Sequence, residues 1–228
     1  MLIQIVTPFP AVFDAIFSYS IVRRAIEAGV VDIETLDLRR FTNDKHITID
    51  DYPFGGGPGM VMKPEPLFKA VEYLLEGWKE KPPVILLSAK GERFSQAKAD
   101  SLSQEPRLIL ICGHYKGIDQ RFIDHHVTEE ISIGDYVLSG GEIPAMVLVD
   151  AIVRLLPGAI SDMESALTDS FRGGLLEGPL YTRPEDYRGL RVPEVLLSGH
   201  HALIEEWRNV KAKEITALRR PDISEKKN

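Results

Sequence analysis

The segment Ile133-Gly-Asp-Tyr-Val-Leu-Ser-Gly-Gly-Glu-Ile-Pro144 constrains the fold of this chain more than any other. The run Val127–Ile133 reads as a short strand, and Gly134 ends it. Pro144 reads as the start of an apolar helix, Ala145–Leu156, because a proline in the first helical turn forfeits no hydrogen bond. A strand, a glycine loop and a helix start together offer main-chain groups to a small polar ligand. The pair Gly140-Gly141 leaves the backbone bare, so either a ligand or another chain segment can approach it closely.

The same alternation runs through the preceding residues. Leu2–Thr7 reads as a strand closed by Pro8-Phe9-Pro10. Residues 11–28 carry helical spacing, with Gly29 as the C-terminal cap. Val30–Leu38 alternates as a strand, and Pro64–Trp78 returns to helical period. Val84–Ser88 and Leu108–Cys112 read as strands, with helices at Ser95–Gln104 and Ile118–His125. Strands alternating with helices predict an α/β fold with a mostly parallel sheet. Residues 158–180 lose the pattern and read as a linker. Beyond Tyr181-Thr-Arg-Pro184 the chain reads as helical and increasingly basic.

Charge taken alone argues against a nucleic-acid partner, since the net charge is −7 and phosphate binding favours a basic surface. Its distribution softens that. From Arg208 to Asn228 there are seven Lys or Arg and three Asp or Glu, a local excess of +4. A transmembrane helix needs about 20 apolar residues, and no run here approaches that. The opening Met-Leu-Ile-Gln-Ile-Val lacks a basic leader region and reads as a first strand. Cys112 is the single cysteine, which excludes an internal disulfide and predicts a buried thiol in a reducing cytoplasm.

Several residues could carry chemistry. Ligands in open α/β sheets sit beyond the carboxyl ends of strands, which singles out Ser88, Gly113 and Gly134. Ordinary turn glycines are the competing explanation. No Gly-x-Gly-x-x-Gly or P-loop motif is present, so a standard dinucleotide or nucleoside triphosphate site is not supported. Arg154 follows the Gly-Gly loop on the apolar helix. It reads either as a functional cation or as the partner of Asp150 four residues earlier. Asp169 reads as a helix cap or linker turn unless a partner gives it a role. The glycine loop 54–59 reads as a mobile lid or a partner-held surface loop. The histidines make no metal site: His125 and His126 would point apart on a helix, and His201 with Glu205 lacks a third ligand.

Six stretches, in order, resemble the bacterial tRNA (guanine-37-N1)-methyltransferases of the SPOUT superfamily. They are Tyr52-Pro-Phe-Gly-Gly-Gly-Pro-Gly-Met-Val-Met-Lys63, Cys112-Gly-His-Tyr-Lys-Gly-Ile-Asp119, Ile131–Ala145, Asp169-Ser-Phe171, Tyr181-Thr-Arg-Pro184 and Pro193-Glu-Val-Leu-Leu-Ser-Gly199. The resemblance implies a SPOUT-type parallel sheet with a C-terminal trefoil knot in residues 1–159. A linker at 160–175 and a small helical tRNA-binding domain at 176–228 would follow. It implies S-adenosyl-L-methionine held by Leu87, Ser88, Gly113, Tyr115, Ile133, Gly134, Asp135, Tyr136, Val137, Leu138, Gly140, Gly141 and Pro144. It implies catalysis by Asp169 as base and Arg154 as the cation at guanine O6, with His46, Asp50, Gly59 and Lys116 toward the tRNA anticodon stem-loop. A cytoplasmic homodimer with its active site at the subunit interface, and a magnesium requirement with no identifiable ligand set, are implied as well.

Two departures stand out. The family carries an acidic residue where this chain has Lys116, and lysine can only donate hydrogen bonds. It could contact RNA phosphate or the cofactor carboxylate, or weaken activity. The chain also stops at Asn228, where the family continues, which predicts reduced tRNA affinity. A non-catalytic RNA- or cofactor-binding homodimer of the same fold is the competing reading, and the presence of both Asp169 and Arg154 argues against it.

Overall fold

The computed structural model describes residues 1–160 and 169–224. The chain divides into two compact units, Met1–Ser161 and Asp162–Asn228. Part of the expected linker, residues 161–168, lies outside the described residues.

The first unit is built on a five-stranded sheet. Its strands are β1 (Leu2–Thr7), β2 (Asp32–Asp37), β5 (Val84–Arg93), β6 (Arg107–Cys112) and β7 (Glu129–Ser132), in the order β2-β1-β6-β5-β7. Every pairing is parallel. Two further strands, β3 (Asp50–Asp51) and β4 (Val61–Met62), form a short antiparallel ladder of their own. Side chains alternate between the two faces as a period of two requires. Ile3, Ile5, Ile85, Leu87, Leu108, Leu110 and Cys112 enter one core. Val6, Val84, Leu86, Ile109 and Ile111 enter the other. All six residues of β6 are buried, as expected of a central strand covered on both faces.

Helices α1 (Ala11–Phe17), α2 (Ser20–Glu27), α4 (Gln96–Leu102) and α6 (Glu142–Val153) cover the first face. Helices α3 (Pro64–Leu75) and α5 (Gln120–His126) cover the second. The caps explain several boundaries. Ser95 accepts from the Lys98 N–H ahead of α4, and Asp119 accepts from the Arg121 N–H ahead of α5. Gly29 terminates α2 with φ 68°, a left-handed conformation that favours glycine.

The structure corrects four expectations. Residues 11–28 form two helices, because the Ser18 hydroxyl turns back to the Ala15 carbonyl and Ser20 adopts φ 55°. The last helix of the first unit begins at Glu142, two residues before Pro144, which still falls in the first turn. His125 and His126 do not point apart: their rings meet edge-on at 4.8 Å, both against Phe68. After Pro184 the chain first makes a hairpin, pairing Asp186–Tyr187 with Leu190–Arg191. Arg188 and Gly189, at φ 58° and 82°, supply the turn. Only then does it form the helices Glu194–Leu197, His201–Arg219 and Pro221–Ser224.

Strand β5 is longer than the pattern suggested. Ile131 pairs with both Leu87 and Glu92, so residues 88–91 bulge out between two stretches of one ladder. The chain returns to the ladder at Gly91, where a Cβ would fall on the backbone of Glu130 and Ile131. Gly91→Ala is therefore expected to destabilise the first unit by about 2–3 kcal/mol through overpacking. Gly29→Ala meets nothing within 4 Å, and costs about 1 kcal/mol from backbone strain alone. Urea unfolding of the two variants checks that order.

Candidate functional site

The carboxyl ends of β5, β6 and β7 open on one cavity of about 410 Å³. A pocket of this size suits a small-molecule ligand. Three chain segments form most of its wall. Leu86–Lys90 comes from β5 and its bulge, Gly113–Ile118 follows β6, and Glu130–Gly134 with Tyr136–Gly141 leads from β7 into α6, whose Pro144 completes the wall.

Glycine explains how these segments fit together. A Cβ at Gly141 would lie 2.6 Å from Cys112 Cα and 2.9 Å from the Gly113 nitrogen. The Gly141 N–H donates to the Gly113 carbonyl at 2.9 Å, and His114 bridges Gly140. The bare backbone at 140–141 thus admits another chain segment, and Gly113, Gly140 and Gly141 all line the cavity. At Gly134 a Cβ would lie 2.5 Å from the Tyr136 ring.

The glycine loop 54–59 reaches this wall through its C-terminal end. Met60 accepts from the Lys116 N–H at 2.9 Å, and the Met62 N–H donates to Gly117 at 2.9 Å. A Cβ at Gly59 would lie 2.7 Å from Lys116 Cγ, so the lysine stem crosses directly over that glycine. Gly55, Gly56 and Gly57 stand in open space, and Phe54 is fully exposed.

Tyr115, which lines the cavity, has φ 61°. A tyrosine in the left-handed region is strained, and such strain gathers at functional sites. Its hydroxyl is pushed above the ordinary tyrosine value, first by burial, then by the charge of Asp50 and the hydrogen bond to it. Cys112, at the end of β6, is a buried thiol, as its sequence suggested. It is held well above the ordinary thiol range, first by burial and then by the charge of Glu142.

Twelve of the thirteen expected cofactor residues line the cavity. The exception is Asp135, whose carboxylate pairs with Arg93 at 2.5 Å instead. Lys116 lines the cavity too. Asp50 joins it through Tyr115 and Gly59 through Lys116, whereas His46 lies exposed on the Asp44–Thr48 turn, outside the wall. Among the lining residues that sequence reasoning missed are His114, Val61, Ile118, Ile123 and Glu130. For Val61, Ile118 and Ile123 the signal was weak, since apolar residues at strand and helix ends look the same whether they face core or cavity, and Glu130 sits in a strand as one of two adjacent acids with nothing to single it out. Among the described residues no group of three or more His, Cys, Asp or Glu is arranged to hold a metal ion. No helix among them is long and apolar enough to cross a membrane.

Arg154 caps the C-terminus of α6 and is half-buried, a position where a cation complements the helix dipole. Asp169 belongs to the second unit. The turn that follows it is built tightly. Ser170 Oγ accepts from the Glu177 N–H at 3.0 Å, and the Phe171 N–H donates to Leu175 at 2.7 Å. The Leu176 N–H donates to the wholly buried Thr216 hydroxyl at 2.8 Å, and the Arg220 guanidinium lies 5.7 Å from the Phe171 ring centre. Helix His201–Arg219 therefore anchors the segment that carries Asp169.

A parallel α/β protein with a glycine-walled cavity at its carboxyl edge is the class that fold and site define. The family described as "tRNA (Guanine-1)-methyltransferase TrmD" matches residues 1–226. The tRNA (guanine-N(1)-)-methyltransferase of Anoxybacillus flavithermus is 52% identical over 225 residues, covering 99% of this chain and 92% of that protein. Its namesake in Moorella thermoacetica is 54% identical over 224 residues (98% and 90%), and that of Bacillus subtilis 52% over 223 residues (98% and 92%). The chain belongs to the tRNA (guanine-1)-methyltransferase family.

The environment of Tyr115 is directly measurable. The tyrosinate absorbance lost in Tyr115→Phe is expected to titrate above the ordinary tyrosine value. In Asp50→Asn it should shift downward but stay raised, because burial is the larger cause. A titration unchanged by Asp50→Asn would remove Asp50 from the cavity rim.

Proposed function

We propose that this protein transfers a methyl group from S-adenosyl-L-methionine to N1 of guanine 37 in tRNA, beside the anticodon. Membership of the family across residues 1–226 carries the reading. The cavity fits the cofactor: it is of small-molecule size, and Gly113, Gly134, Gly140 and Gly141 bring main chain to its surface. Leu87, Ser88, Gly113, Tyr115, Ile133–Leu138, Gly140, Gly141 and Pro144 would hold it.

The sheet is then SPOUT-type, with the end of the first unit forming a trefoil knot. The crowding of Gly91 on β7 and of Gly141 on β6 supports such close chain crossing. In this reading residues 1–159 bind the cofactor, 160–175 link, and 176–228 bind tRNA. The protein acts in the cytoplasm as a homodimer. Val12, Ile16, Ile143 and Val147, exposed on the mutually packed helices α1 and α6, offer an apolar face for the second copy. No residue is assigned to magnesium.

When bound, the cofactor supplies a methyl group made electrophilic by its sulfonium. Guanine N1 is a poor nucleophile because it carries a proton and its lone pair is delocalised. Asp169 accepts that proton. Negative charge then builds on O6, and Arg154 stabilises it. The role assigned to Arg154 is therefore at O6, and that of Asp169 at N1. The target base leaves its stack to reach the cofactor, and the exposed Tyr136 and Val137 at the cavity supply apolar surface to receive it. Lys116, exposed at the same cavity and without an ion-pair partner among the described residues, contacts RNA phosphate.

With labelled cofactor, tRNA bearing guanine at 36 and 37 is expected to yield N1-methylguanosine, and tRNA with adenine at 37 none. Asp169→Asn should lower kcat by about 10²–10⁴-fold while cofactor affinity stays constant. Normal turnover by that variant would remove Asp169 as the base. Lys116→Ala should weaken tRNA binding and reduce the slope of log affinity against log salt by about one. An unchanged slope with weaker cofactor binding would reassign Lys116 to the cofactor carboxylate.

A further inference from the structure

Glu142 carries a buried carboxylate that this chemistry does not use. It opens α6 and is 7% exposed. One oxygen, Oε1, accepts from the Thr7 hydroxyl at 2.6 Å. The other, Oε2, lies 2.7 Å from His114 Nε2. Thr7 is fully buried, and its Oγ1 also accepts from the Phe9 N–H at 2.9 Å. The Phe9 ring meets His114 edge-on at 5.1 Å. The end of β1, the loop after β6 and the start of α6 therefore meet at one carboxylate.

A buried carboxylate is costly unless hydrogen-bonded, and both oxygens here have partners. Its place in the first turn of α6 adds the favourable end of the helix dipole. Its charge is felt nearby, as the second cause of the raised Cys112 thiol. The consequence lies in the cavity wall. His114 lines the cavity, and a Cβ at Gly140 would fall on its ring. The next residue is Tyr115, held at φ 61°. Such a conformation persists only where its surroundings over-determine it. The Glu142–His114 bond on one side and the Met60–Lys116 bond on the other act with the turn bond from the Gly117 N–H to the His114 carbonyl to hold it.

We propose that Glu142 is a positioning residue of the cofactor cavity: it locks His114, and with it the Gly113–Gly117 loop, against the start of α6. Cofactor affinity depends on that lock. The inference rests on the cavity being the S-adenosyl-L-methionine site.

Calorimetric titration of the full-length protein with S-adenosyl-L-methionine tests it, with thermal unfolding of each variant run in parallel. Charge-assisted hydrogen bonds are strong enough that Glu142→Ala should lose about tenfold or more in cofactor affinity. Glu142→Gln keeps an oxygen for Thr7 and a polar partner for His114, and should restore most of the loss. In steady state the KM for the cofactor should rise and that for tRNA stay level. A folded Glu142→Ala protein binding the cofactor as tightly as wild type would overturn the proposal. If Glu142→Ala does not fold, His114→Ala decides: it should show the same loss, and wild-type affinity there would equally overturn the proposal. Wild-type protein that binds no S-adenosyl-L-methionine would instead sink the reading of the cavity.

Discussion

The first unit depends on a contact between two main chains. Gly141 rests on Cys112 and Gly113 so closely that no side chain fits between them. Because of that seat, α6 starts at the carboxyl end of the central strand and not beside it. Its first residue, Glu142, then falls within reach of Thr7 and His114. Ala145, Leu148, Val149, Ile152 and Val153 bury against the sheet. The cavity is the space left between the seated helix, the bulge in β5 and the loop after β6. A larger residue at 141 would lift the helix and open all three walls together.

Strain and support are paired around that space. Tyr115 is held in a conformation that costs on the order of 1–3 kcal/mol. It is flanked by the glycine segment through Met60 and by α6 through His114. The two neighbours come from distant parts of the sequence, so the wall is set by the folded unit as a whole. On the proposed chemistry, the two catalytic groups are also divided: Arg154 ends α6 in the first unit, and Asp169 sits on a pinned turn in the second.

Much of the fold was legible because it follows local rules. Apolar and alternating runs located all five parallel strands, β1 and β6 to within a residue, and Ser95, Asp119 and Gly29 mark helix ends through hydrogen-bonding or left-handed geometry that a single residue decides. The errors fell where a local signal was ambiguous. Ser18–Ser20 breaks a helix that spacing alone would continue, and Arg188-Gly189 makes a hairpin in a stretch that read as helical. The bulge at 88–91 was invisible, because a strand that leaves and rejoins its partner has no distinctive composition.

The sequence by itself determined the parallel α/β class, the glycine positions, the buried thiol and, through six ordered motifs, the family. These are properties of single residues and short spacings, which survive without knowledge of what lies opposite. Tertiary structure alone decided which bare backbone meets which: Gly141 on Cys112, Gly91 on Glu130, Gly59 under Lys116. It also decided that Asp135 turns to Arg93 while its neighbours line the cavity, and that a threonine, a histidine and a glutamate 135 residues apart at their extremes share one buried charge. Those outcomes depend on packing between distant segments, and packing is fixed only when the whole sheet has formed.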